Sequence, residues 1–324
     1  QQSLTGNLNT THVTYISGTS KHLANTSEIE VIFPKNVSST EGNKEYSQTP
    51  FVTSSIFGYH TASVIPNDFR WPAATSDDHN FELYAVRPEI GSSDAYFLLK
   101  DRAGNFSLTS SLYGDVYDNQ RWNFSVRLRN EKYPIGDSVT GSISQNAKLE
   151  FRGINTLSDA VANDFYLTAS LTASYLTAPR RYYVGANLTD FAGATTERSD
   201  VRVTSLRHWA SYLDDSVLLA HAKDTENYGA GYPLRSAYLT TEMDGIQVPQ
   251  IETLALNWDF STVTSSAGDG TFSVPDFSSG SIGSRSRYPG VFGDIVGNQY
   301  AGQGINFPQN DSTVTTSEYV YSAR

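Results

Sequence analysis

The chain has no cysteine and a single methionine, Met243. This excludes disulfides, thiolate metal sites and thiol nucleophiles, and leaves packing to stabilise the fold. Positive charge is also scarce. Lys and Arg total 23 against 34 Asp and Glu, a formal charge of -11. Affinity for a phosphate backbone comes from clustered cations, so no nucleic-acid partner is expected. No apolar run approaches the roughly 20 residues needed to cross a bilayer, and no membrane insertion is expected. The opening residues QQSLTGNLNTT lack both the basic start and the apolar middle of a signal peptide. With no initiating methionine and an end at EYVYSAR, the chain reads as a mature or partial segment of something longer.

Local signatures of several chemistries are missing too. The histidines His12, His22, His60, His79, His208 and His221 show no HExxH, HxH or two-histidine-plus-carboxylate spacing, so a zinc site is not expected. There is no GxSxG elbow, no GxxxxGK[ST] loop and no GxGxxG turn, which leaves serine hydrolase and nucleotide-binding readings without local support.

What is present is a succession of short β-branched or aromatic runs in a Ser-, Thr-, Asn-, Gly- and Tyr-rich chain of 324 residues. Residues 28–33 (EIEVIF), 53–60 (TSSIFGYH), 81–88 (FELYAVRP), 95–101 (AYFLLKD), 105–112 (NFSLTSSL), 121–129 (RWNFSVRLR), 148–153 (KLEFRG), 180–187 (RRYYVGAN) and 201–209 (VRVTSLRHW) read as strands. Gly, Pro, Asn, Asp or Ser punctuates most of the gaps, a spacing that predicts an all-β sandwich or barrel. The DRAGN turn, residues 101–105, predicts a hairpin in which Gly104 supplies the positive φ. Alternation of Trp122, Phe124, Val126 and Leu128 places four large apolar groups on one face, so that strand is expected in the core. Residues 154–179 mix Ala and Leu with Thr, Ser and Tyr; the alternation of Tyr166, Thr168, Ser170 and Thr172 with apolar neighbours favours a strand. In residues 201–224 the period changes: Val201, Val203, Ser205, Arg207 and Trp209 alternate, whereas Leu213, Val217, Leu218 and His221 recur at helical spacing.

The order of these segments resembles a laminin-G-like domain of the concanavalin-A-like jelly-roll class. In that family a turn leads into a tryptophan strand, a later strand ends in glycine, and a final strand carries a tryptophan before a short helix. The matching positions here are Trp122, Gly185, Trp209 and residues 213–221, which span most of 28–224. The resemblance implies that Trp209 caps the core, that Asp214 or Asp215 accepts backbone N–H groups to start the helix, and that the helix seals one end. The expected organisation is a sandwich over 1–224, a linker or wrapping segment over 225–250, and a partial second jelly-roll-like segment over 251–324. Its fragments are 254–263, 274–283 and 302–323, with a long Ser/Gly-rich loop in 264–290. These last strands either open a second domain or pair with the first sandwich.

Candidate chemistry is sparse. Glu28 and Glu30 share a strand face, as the paired carboxylates of concanavalin-A-like glycan hydrolases do, but Val31, Ile32 and Phe33 stand where a third acid is expected. A solvated strand face is the expectation for this pair. Asn-x-Ser/Thr acceptors occur at Asn9, Asn25, Asn36, Asn105, Asn123, Asn187 and Asn310, and the position of Asn123 beside a core tryptophan argues against modification there. No resident cofactor is expected, with calcium the one exception the resemblance raises. Laminin-G-like domains often hold it at a sheet rim, and acidic loops lie at Asp77, Asp78, Asp94, Asp115, Asp118 and Asp190. The functional expectation is a non-enzymatic structural or adhesive surface module of a larger virion or extracellular protein, partnered by other structural subunits. Its viral or phage character is implied by resemblance to structural proteins that carry laminin-G-like domains. The alternative is a lectin stacking glycans on Tyr113, Tyr117, Trp71 or Tyr59; a glycan hydrolase is the third reading.

Overall fold

Alternation of large apolar groups with polar ones, repeated in strand after strand, builds sheets with one dry face. A computed structural model of the chain describes residues 3–4, 24–35, 52–60, 79–131, 146–157, 160–177, 180–185, 198–224, 254–262, 265–266, 272–274, 276 and 278. The chain divides into two compact units, Gln1–Thr204 and Ser205–Arg324.

The first unit is an antiparallel jelly-roll sandwich. One sheet has the order β1-β10-β3-β4-β5-β6, built from β1 (Ser3–Leu4), β3 (Thr53–His60), β4 (Phe81–Val86), β5 (Tyr96–Lys100), β6 (Ser107–Thr109) and β10 (Arg180–Val184). The facing sheet has the order β2-β7-β8-β9, from β2 (Ala24–Phe33), β7 (Gln120–Asn130), β8 (Asn146–Leu157) and β9 (Ala160–Thr172). Long registers hold it: Ala24 to Phe33 pair with Arg129 to Gln120, and Trp122 to Asn130 pair with Asn155 to Ala147. The expected strand in 154–179 is present as the C-terminal part of β8 and all of β9, followed by a single helical turn, α1 (Ser174–Thr177).

The core between the sheets is aromatic. Phe97 of β5 meets Trp122 and Phe124 of β7 at centroid separations of 4.7 and 4.6 Å. Phe33, Phe151 and Phe165 extend the cluster, and Trp122, Phe124, Val126 and Leu128 are all buried, as their alternation predicts. Gly153 is fixed by this packing. A methyl group there would overlap the ring of Phe165 and crowd Phe124, so the absence of a Cβ lets that ring lie across β8. Gly104 takes φ +80° in the DRAGN turn, where Asp101 accepts from the backbone of Ala103 and Asn105. Tyr175 of α1 donates to the same carboxylate at 2.9 Å, tying the helical turn to the hairpin.

In the second unit, β11 (Arg202–Trp209), which begins just before the division, pairs through Ser205–Trp209 with β12 (Leu254–Asp259). Thus 254–259 joins the strand that ends in Trp209. The helical spacing after Trp209 produces α2 (Asp215–Lys223), whose His221 stacks on Trp209 at 5.6 Å and 18°. The main-chain carbonyl of Asp214, rather than its carboxylate, accepts from Val217 and Leu218; its side chain makes no cap bond. The loop expected in 264–290 contains a two-stranded ribbon, β13 (Ser265–Ser266) with β14 (Phe272–Ser273). Asp276 accepts the N–H groups of Asn257 and Ser278, both at 2.9 Å. Burial nevertheless raises its carboxyl above the ordinary 3.8. The boundary expected near 225 and the fragment 302–323 lie outside the described residues.

Candidate functional site

Because side chains alternate along a strand, the dry face of the β2-β7-β8-β9 sheet determines its opposite face. The registers align Glu28 with Ser125, Glu30 with Asn123, Arg127 with Glu150, and Arg152 with Tyr166. A face of charged and hydroxyl groups therefore runs across four strands.

Its geometry is graded. Toward β2 and β7 the polar groups are buried: Glu28 is 2% exposed, Glu30 1%, Asn123 6% and Arg127 1%. This corrects the expectation that Glu28 and Glu30 form a solvated face. Alternation fixed the side to which they point, but whether that side meets water is set by tertiary cover. The burial of Asn123 agrees with the argument against its modification. At the centre, Glu150 accepts three cations, with Arg127 Nη2 at 3.0 Å, Arg129 Nε at 2.8 Å and Lys148 Nζ at 3.7 Å. Toward β9 the face opens, and Asp164 takes Arg152 in a two-pronged bond of 3.0 and 2.6 Å. Tyr166 is 47% exposed, with the Arg127 guanidinium 5.9 Å from its ring centre. Partial burial and the Glu150 carboxylate push its hydroxyl up from the ordinary 10.0. Beyond it Thr168, Ser170 and Thr172 line the exposed side.

The residues offered as sugar platforms fare differently. Tyr59 and Tyr117 are each 1% exposed and cannot stack on a ligand from solvent. Tyr59 packs edge-on to Phe81 at 4.5 Å. Tyr117 lies under Arg87 at 3.6 Å and donates to Asp200, which also binds Arg87. Burial first, and then the Asp200 charge, hold the Tyr117 hydroxyl well above its ordinary value. Tyr113 is half-buried, with its ring against Trp122 and Phe165. Trp71 lies outside the described residues. Sequence reasoning missed Tyr166 as a surface aromatic, although the alternation that would place it was visible.

Of the acidic loops, Asp94 and Asp115 share a rim, where one oxygen of each accepts hydrogen bonds. Ser93 donates to both, and the Asp115 N–H donates to Asp94. Asp118 pairs with Lys35 at 3.2 Å. Calcium takes six or more oxygens, and among the described residues no three acidic or histidine side chains gather. Asp77, Asp78 and Asp190 lie outside the described residues, as do His12 and His22. His79 sits edge-on to Tyr175, and His208 and His221 are buried.

No family model matches the chain, and no curated protein does. Among solved structures it is similar to the enzymatically active domain of tailspike protein 2 of bacteriophage CBA120, with 9% identity and a TM-score of 0.32. That match covers 62% of this chain and 24% of the other, so the chain spans about a quarter of that structure's length. It is also similar to the CBM40 of the Ruminococcus gnavus IT-sialidase, solved with α2,3-sialyllactose bound. Here identity is 13%, the TM-score 0.29, and the match covers 63% of this chain and 84% of the other.

Proposed function

We propose that this chain is a non-enzymatic structural or adhesive module, a jelly roll of the laminin-G-like kind, set in a virion-surface or extracellular assembly beside other structural subunits. One observation carries the reading: the well-placed carboxylates of the sandwich are used as internal ties. Glycan hydrolysis asks for two acids across an open cleft, one protonated and one ionised. Here Glu150 binds two arginines and a lysine, Asp164 binds Arg152, and Asp200 binds Arg87 and Tyr117. Asp101 takes Tyr175 and Asn105, and Glu82 takes Tyr84 and Arg102. These ties leave the acids engaged within the fold, which suits a rigid scaffold. The test is incubation with a panel of polysaccharides while reducing ends are assayed. No release is expected from the wild-type chain; release abolished by Glu28→Gln or Glu30→Gln would overturn the reading.

A lectin is the second reading, favoured by the open end of the polar face. An exposed aromatic beside guanidinium groups and a row of hydroxyls offers a stacking surface with hydrogen-bonding partners. A glycan array probed with the wild-type chain and with Tyr166→Ala decides it: signals lost in the variant support a lectin, and a blank array rejects it.

A further inference from the structure

A strand at the edge of a sheet carries a row of backbone donors and acceptors that can template another strand, and proteins ordinarily blunt such edges. The two sheets of the sandwich differ in this respect. At the β6 end of the first sheet the edge is three residues long. At the β9 end of the second it is 13 residues long, AVANDFYLTASLT, with no proline, glycine, lysine or arginine and with Asp164 as its one charge. That charge is already neutralised by Arg152 of β8. Among the described residues β8 is the one strand neighbour of β9.

The dry side of this edge is unfinished. On β8 the inward residues Ala147, Leu149 and Phe151 are essentially fully buried. On β9 their partners Leu167 and Ala169 remain half-buried, as does Phe165, while Leu171 is 7% exposed. A further strand alongside would complete that layer.

We propose that the outer edge of β9 pairs antiparallel with β9 of a second copy of this chain, about a two-fold axis at Tyr166, so that one sheet runs through both. Three observations choose the occupant. Tyr166 is the midpoint of Ala160–Thr172, and a two-fold there pairs Asn163–Ala169 with its copy, clear of the register irregularity between Val161 and Asn163. Antiparallel pairing about a residue joins positions of equal parity. Phe165 then lies opposite Leu167 on the dry side, and Tyr166 meets its own copy on the polar side. Finally, Asp164 falls opposite Thr168 rather than another acid. In a chain of net charge -11, this neutral strand is a place where two copies can approach without like charges facing each other.

The experiment is sedimentation of the full chain over a concentration series, with two kinds of variant. The wild-type chain should pass from monomer to dimer mass as concentration rises. Tyr166→Lys sets a lysine directly opposite its own copy at the two-fold, on an exposed position, and should hold the chain at monomer mass with an unchanged circular dichroism spectrum. Because the chain has no cysteine, Tyr166→Cys supplies a unique thiol. Its Cα should lie about 4.5–5.5 Å from its copy, within disulfide reach. It should cross-link on mild oxidation well ahead of Ile90→Cys, which is exposed in the turn between β4 and β5. A wild-type chain that stays monomeric, whether or not its edge takes an unrelated peptide strand, overturns the proposal. So does a folded lysine variant that still dimerises. If that variant does not fold, cross-linking decides: equal rates at positions 166 and 90 overturn the proposal, and selective cross-linking at 166 supports it.

Discussion

The two faces of the β2-β7-β8-β9 sheet are made by alternate residues of the same strands, yet they are held by different forces. On one, Trp122, Phe124, Val126, Leu128, Leu149 and Phe151 are buried, and Trp122 and Phe124 meet the ring of Phe97 on the opposite sheet. Burying them stabilises by area, and the requirement is volume. On the other, Arg127, Arg129, Lys148 and Glu150 meet in a knot in which Arg127 and Glu150 are as buried as the aromatics. Taking a charge out of water costs several kcal/mol unless a partner is in reach, so the requirement there is pairing. The comparison teaches that burial alone does not reveal which force is acting.

The sharpest way to break the comparison is to remove one partner from the polar knot. Glu150→Ala removes the carboxylate that Arg127, Arg129 and Lys148 share and should cost about 3–5 kcal/mol in urea unfolding. Replacing the pair together, Arg127→Met with Glu150→Leu, should recover most of that loss. If the double variant is as unstable as the single one, pairing is not the requirement. On the dry face Trp122→Ala should cost a similar 3–5 kcal/mol through the cavity it leaves, with no rescue from a second change on the polar face. Gly153→Ala forces a methyl group into the space of the Phe165 ring and should cost about 1–3 kcal/mol as overpacking.

A smaller effect is expected at Tyr117, where Tyr117→Phe removes the part-buried hydrogen bond to Asp200, worth about 1 kcal/mol. Its hydroxyl is held above the ordinary 10.0, chiefly by burial and then by the Asp200 charge. A folded pKa above the unfolded one gives stability that is fully present below about pH 10 and lost as pH rises toward the folded value. Thermal unfolding should therefore show the wild-type chain losing stability above pH 10, with a shallower decline in Tyr117→Phe; parallel declines would reject this assignment. The smallest effect belongs to the open end of the polar face. There Arg152→Ala, opening a partly exposed pair with Asp164, should shift stability by less than about 1 kcal/mol, and by less still in high salt.

Much of the sandwich was legible because period and punctuation are local properties. Trp122 to Leu128 announced a core strand by alternation. Gly104 announced its hairpin because a positive φ favours glycine. The change of period after Trp209 announced α2. The polar face was harder to read, since Arg127 and Glu150 are joined only through the register of β7 on β8, which no local pattern states. Glu28 and Glu30 looked solvated because carboxylates usually are. Tyr59 and Tyr117 looked available because tyrosine suits both a surface and a core, and only their neighbours decide between the two.

By itself the sequence determined an all-β chain whose strands each have a dry side, since side-chain direction follows from the period of two. It also determined that no disulfide or thiolate supports the fold. Tertiary structure decided which polar sides are covered, which carboxylates become ties, and which long strand is left at an edge. Those outcomes depend on distances between residues far apart in the chain, and such distances exist only once the strands have been laid side by side.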